Sequence, residues 1–222
     1  MMNEGIKGLL FKIRWLFVPY LVILICCTVL KLSFSREQIY FAVNSHNSRF
    51  WDVLAPYFTD LGDGWTVIIL SILILLFSYR KAFLLITSYI ITSLLVQLLK
   101  RIFDAPRPGL YFKSQLNHIY FVKGIHIDSL HSFPSGHTVT AFSAAVVITY
   151  LCKGRQWGIV MLIIACLIGF SRMYLSEHFF EDVFAGSAIG FFMTVFWLYW
   201  IDNQNFIHSP KWEVGLSKLL KS

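Results

Sequence analysis

Residues 157–201 read WGIVMLIIACLIGFSRMYLSEHFFEDVFAGSAIGFFMTVFWLYWI. Two apolar runs, 157–170 and 183–201, flank a joint that holds Ser171, Arg172, His178 and Asp182. Such runs suit a bilayer, whose hydrocarbon core is about 30 Å thick and takes roughly 20 helical residues. Working outward, further apolar segments lie at about 15–34, 65–79, 82–99 and 138–152. Some are short for a span, and their flanks extend them; Phe50 to Phe58 lengthens the second or lies beside it. The pattern predicts an all-α integral membrane protein, a six-transmembrane-helix bundle forming one domain over 1–222.

Composition points the same way. Hydrophobic residues make up 57% of the chain and charged residues 14%, against about 25% charged in soluble domains. The mean hydropathy is +0.65. The net charge of +7 is scattered between apolar spans, with no basic run or stacking platform. It therefore reads as topology signal and affinity for anionic headgroups, and no nucleic-acid partner is expected. Cys26, Cys27, Cys152 and Cys166 lie in or beside apolar spans without metal-ligand spacing, so they read as packing residues. The run from Trp15 to Leu30 is long for a signal sequence and lacks a small-x-small cleavage site. It is kept as a span.

Two short connections, Tyr79-Arg80-Lys81 and Lys153-Gly154-Arg155, are basic and read as cytoplasmic turns. Both termini are then cytoplasmic, and three polar clusters, Lys100 to Pro108, Pro134 to His137 and Ser171 to Asp182, face the extracytoplasmic side. Arg36 to Val43 suits a short interfacial helix. The loop from Gly109 to Phe133, which includes Ile127, is either a partly ordered surface excursion or an element guarding the site. The tail from Pro210 to Ser222, with Trp212, Leu216, Leu219 and Leu220 beside Lys211, Lys218 and Lys221, is either a helix on the inner leaflet or a solvated end.

Each cluster carries phosphate chemistry. On a helix, His178 and Asp182 share a face, so the carboxylate can accept the Nδ1 hydrogen and leave Nε2 as a nucleophile. Alone, that pair is more readily a salt-linked pair in a loop. Pro134 suits a helix start, where Ser135, Gly136 and His137 would present unpaired N–H groups as an anion cradle. Gly136 permits close backbone approach, and His137 is placed to protonate a leaving oxygen. Pro106 and Pro108 hold Arg107 extended, so it can turn back towards Lys100 and Arg172. Three cations suit a phosphoryl group in transfer, whose stabilisation is mainly electrostatic. Singly, each could be a snorkelling interfacial cation. Small residues at Ala141, Ala144 and Ala145, at Ala165 and Gly169, and at Gly186 and Gly190 would let three helices approach closely and bring their site ends together.

With every signature position filled, Lys100-x6-Arg107-Pro108, Pro134-Ser135-Gly136-His137 and Ser171-Arg172-x5-His178-x3-Asp182 resemble the type 2 phosphatidic acid phosphatase superfamily. That superfamily includes membrane lipid phosphatases and soluble vanadate haloperoxidases; six spans argue for the former. The resemblance, with core motifs over 100–182, implies that His178 attacks phosphorus and forms a phosphohistidine. Asp182 orients it, and His137 protonates the leaving group and then activates water. Lys100, Arg107, Ser135, Gly136 and Arg172 would hold the phosphoryl oxygens. It implies no metal and no cofactor. The expected substrate is a lipid phosphate or pyrophosphate in the inner (cytoplasmic) membrane, such as undecaprenyl pyrophosphate, phosphatidylglycerol phosphate, phosphatidic acid or lipid A phosphate. Lipid-to-lipid phosphotransfer and a non-catalytic lipid-binding or transport role remain alternatives, and the oligomeric state is open. His178 is expected to be an exposed site residue, and Asp60-Leu61-Gly62-Asp63-Gly64 a turn whose aspartate pairs with a site cation.

Overall fold

A computed structural model describes residues 5–125, 128–152 and 154–219. Ile127, Lys153, Leu220, Lys221 and Ser222 lie outside the described residues, as does the Leu219 side chain. Every regular element described is helical. The N-terminal part comprises α1 (Ile6–Lys12), α2 (Arg14–Ser33), α3 (Arg36–Asn44), α4 (Arg49–Leu61) and α5 (Gly64–Leu75). The middle comprises α6 (Tyr79–Phe103), α7 (Pro108–Tyr111) and a 3-10 turn, Lys113–His118. The rest is α8 (Gly136–Leu151), α9 (Arg155–Tyr174), α10 (Phe180–Asp202), a 3-10 turn Asn205–His208, α11 (Pro210–Glu213) and α12 (Leu216–Leu219).

Four helices, α2, α6, α9 and α10, are long and apolar enough to cross a membrane. Two of the six expected spans take another form. α4 and α5 make a pair bent by 54°, a broken span if they cross together. The bend sits at Gly62, where a Cβ would lie 2.5 Å from Ile168 Cγ2 and 3.2 Å from the His137 backbone oxygen. Only glycine lets the chain turn so close to α8 and α9. Asp63 then caps α5 by accepting a hydrogen bond from Trp65 N (2.8 Å). At about 1.5 Å per residue, the 16 residues of α8 reach only about 24 Å. α8 packs against α5, α6, α9 and α10, so its length is set by protein neighbours rather than by lipid.

The small-residue faces meet as the sequence suggests. A Cβ on Gly190 would lie 2.4 Å from Val139 O, one on Gly186 2.8 Å from Ser135 O, and one on Gly169 2.9 Å from Val183 Cγ1. α8 and α10 therefore touch nearly backbone to backbone, while α9 sets Gly169 against the Val183 and Thr138 side chains. Lipid tails are as apolar as leucine, so close van der Waals contact supplies much of the association. α2 joins from the side through Tyr20, whose ring stacks on Phe191 (4.5 Å) and tilts against Phe142 (5.1 Å). The Tyr20 hydroxyl shares a 3.1 Å hydrogen bond with Ser187.

Three further segments take a definite form. Tyr79, Arg80 and Lys81 are the first turn of α6 rather than a loop, because the Ser78 hydroxyl accepts from Lys81 N (3.3 Å). The 109–133 segment is built onto α3: Asn44 donates to Tyr120 O (2.8 Å) and accepts from Tyr120 N (2.9 Å). Phe112 and Ile119 join Tyr40 and Phe179 in an apolar cluster. The tail folds back on the α5–α6 connection, with Tyr79 N donating to Val214 O (2.9 Å) and Ser217 N to Leu76 O (3.0 Å). The described part of the tail is thus tied to the bundle at Val214 and Ser217. This chain path brings the end of α6, the start of α8, the end of α9 and the start of α10 to one end of the bundle.

Candidate active site

α6 stops where Asp104 adopts a left-handed conformation (φ 38°), and Ala105 to Pro108 lead away from it. Lys100 lies in the last turn, with Nζ 4.0 Å from where a Cβ on Gly136 would stand. Arg107 is extended (φ −77°, ψ 163°), as its flanking prolines require. Its side chain is 7% exposed, and three of its five N–H donors are engaged: Nε donates to Leu130 O (3.1 Å), Nη2 meets Asp128 Oδ2 (3.1 Å), and Nη1 pairs with Glu177 Oε2.

Arg172, at the end of α9, approaches the same Glu177 oxygen at 3.4 Å through Nη2 and donates from Nη1 to Thr59 Oγ1 (2.5 Å). Its Nε is buried with no hydrogen-bond partner. The Arg172 carbonyl accepts from both Glu177 N (3.1 Å) and His178 N (3.2 Å), which folds the joint into a tight turn. Ser176 takes a positive φ of 58° there.

His178 and Asp182 come together, but not as neighbours on a helix face. His178 precedes α10, and Asp182 reaches back from its first turn to accept from Phe179 N (2.9 Å). His178 Nδ1 lies 3.4 Å from Asp182 Oδ2, and that oxygen also accepts from Ser132 Oγ (2.5 Å). The expected exposure of His178 is wrong: it is 1% exposed, enclosed by its own turn and the Ser132 strand of the loop. Burial first, then the cations Arg172, Arg107 and Lys100, hold its pKa well below the ordinary imidazole value of 6.5. His178 is therefore neutral, the form a nucleophile needs.

Ser135 occupies the N-cap position of α8 without a side-chain cap, the helix starts at Gly136, and Pro134 stands just outside it. The Ser135 N–H is not the free cradle donor expected, since it donates to Asp182 O (3.0 Å) and ties α8 to α10. Ser135 Oγ accepts from Thr138 Oγ1 (2.9 Å). His137 is part-exposed, with Nε2 3.8 Å from Asp63 Oδ2, so Asp63 of the expected turn faces a site imidazole. All eight expected site residues thus gather at one end of the bundle.

Sequence reasoning missed Ser132, Thr59 and Glu177. Ser132 and Thr59 carry no signal of their own, since their partners are remote in the chain. Glu177 did carry one: an acid beside His178 in a cation-rich cluster needs a cationic partner if buried. Beside Arg107, a cavity of about 600 Å3 is lined by Lys100, Arg107, Asp128 and Leu130 and by Gln97 and Arg101 on the outer face of α6. Exposed Leu94, Leu98 and Ile102 continue along that helix.

A family model described as the PAP2 superfamily matches residues 81–206. Phosphatidylglycerophosphatase B of Bacillus subtilis is 32% identical over 127 residues, covering 52% of this chain and 57% of that protein. A probable lipid phosphate phosphatase 4 of Arabidopsis thaliana is 28% identical over 184 residues, covering 65% of this chain and 60% of its own length. The chain thus matches little more than half the length of these curated relatives. The crystal structure of a transmembrane PAP2 type phosphatidylglycerolphosphate phosphatase from Bacillus subtilis superposes with a TM-score of 0.64 at 25% identity, over 88% of this chain and 99% of that one.

Proposed function

Because the chain belongs to the PAP2 superfamily, we propose that it is a membrane lipid phosphatase working through a phosphohistidine. The observation that carries this reading is a buried, neutral His178 set against Asp182 amid the cations Lys100, Arg107 and Arg172. In the reaction, His178 Nε2 forms the N–P bond as the bond from phosphorus to the leaving oxygen breaks. His137 gives that oxygen its proton. His137 then takes a proton from water, the water oxygen attacks phosphorus, the N–P bond breaks and phosphate leaves. Lys100, Arg107, Arg172 Nε and the Gly136 backbone hold the phosphoryl oxygens, and Ser135 keeps α8 in register with Asp182.

The opening beside an apolar face of α6 supports a substrate whose tail stays in lipid while its headgroup enters. In this reading the chain is one domain over 1–222 in the inner membrane. It crosses six times if α4–α5 is one broken span and α8 an enclosed one, with the site on the extracytoplasmic side. Phosphate release from a panel of lipid mono- and pyrophosphates, in excess chelator, tests the activity. Wild type should release phosphate and His178→Ala should not. Equal release from both, or release only after a divalent ion is added back, contradicts the reading.

A further inference from the structure

At the end of the bundle opposite the catalytic residues, a cavity of about 410 Å3 opens between the start of α2, the end of α8 and the start of α9. Lys12, Arg14 and Arg155 line it, Trp15 stands beside them, and no carboxylate is among the described lining residues. Arg14 donates to Phe11 O (2.8 Å), and Arg155 lies over the Trp15 ring (5.6 Å). Among the described residues neither meets a carboxylate. The 20-residue helix α9 starts here with no side-chain cap, its N-cap being Gly154, so its first N–H groups and positive dipole end are uncapped.

A second observation points to a ligand. Thr149 lines the same cavity, is 5% exposed, and its Oγ1 has no hydrogen-bond partner. A hydroxyl inside a helix ordinarily bonds back to the carbonyl four residues earlier. Ser71, Ser88 and Thr87 all do so in this protein. Thr149 does not, which leaves a buried polar group facing a cationic hollow.

We infer that this cavity binds the phosphate headgroup of an anionic membrane lipid. Cations, an uncapped helix start and a buried hydroxyl form an anion site. Apolar surface begins within a turn of the cations, with Val18 and Val22 exposed on α2 and Ile159 and Ile163 on α9. That surface suits acyl chains continuing from the headgroup, and Trp15 and Trp157, both exposed within two residues of Arg14 and Arg155, suit a bilayer interface. A free anion would use the cations but not the apolar tracks.

The test is thermal unfolding of the purified full chain in neutral detergent with dioleoylphosphatidylglycerol, dioleoylphosphatidylcholine or inorganic phosphate. The variants are Arg14→Gln/Arg155→Gln and Thr149→Val. Phosphatidylglycerol should raise the wild-type Tm by about 3 °C or more beyond phosphatidylcholine. Both variants should lose most of that difference, and lipid-free Thr149→Val should be no less stable than wild type. This contrast separates the cavity from the catalytic site, which both variants leave intact. Equal shifts from the two lipids, an equal shift from inorganic phosphate, or undiminished shifts in the variants would each overturn the proposal. If the arginine variant does not fold, Thr149→Val decides alone.

Discussion

At the scale of single residues, the site depends on an anion that is not part of its phosphate-binding set. Glu177 lies between Arg107 and Arg172 and pairs with both through one oxygen. Without it, two buried guanidinium groups would face each other, and orphaning one side of a buried pair costs about 3–5 kcal/mol. Glu177→Gln should therefore lower the Tm and reduce kcat/KM by about tenfold or more; wild-type values for both would remove Glu177 from this role. His178 gives a pH signature. Its folded pKa lies below its unfolded value of 6.5, so the unfolded chain binds more protons. Its contribution to stability is complete above 6.5 and is lost as pH falls below it. Tm should drop less steeply on acidification in His178→Asn than in wild type, and parallel curves would contradict this. The motif residues were legible in the sequence because phosphoryl transfer draws on few residue types, and those types are conspicuous at span ends. Ser132 and Thr59 were not, because a hydroxyl has meaning only once the fold sets a carboxylate or guanidinium against it.

At the scale of elements, the site is held by how closely α8 and α10 approach. The hydrogen bond from Ser135 N to Asp182 O joins the two helices at the point where Gly186 lets them touch. Gly190→Ala would place a methyl 2.4 Å from Val139 O and force the pair apart. Overpacking of this kind costs about 1–3 kcal/mol, so Tm and activity should fall together. Gly136→Ala is the contrasting case. The nearest atoms to a Cβ there are 3.9 and 4.0 Å away, so the fold should be unaffected. Turnover should nevertheless fall if phosphate lies against that backbone; an unchanged rate would remove Gly136 from phosphate binding. The small-residue faces could be read in the sequence because their spacing follows the helix period. The bend between α4 and α5 could be seen only as a turn, since its angle depends on Ile168 and His137, more than 70 residues away in the chain.

For the whole molecule, the apolar pattern revealed a helical membrane bundle but not the kind of crossing each segment makes. Hydropathy cannot separate a lipid-facing span from α8, which is apolar because other helices enclose it. The central claim is that phosphate passes through His178. Rapid acid-free quenching of the enzyme turning over a lipid labelled with radioactive phosphate tests this most directly. Wild type should carry an acid-labile, base-stable label on the protein, and His178→Ala should carry none and release no phosphate. A labelled His178→Ala protein, or phosphate release by that variant at the wild-type rate, would contradict it.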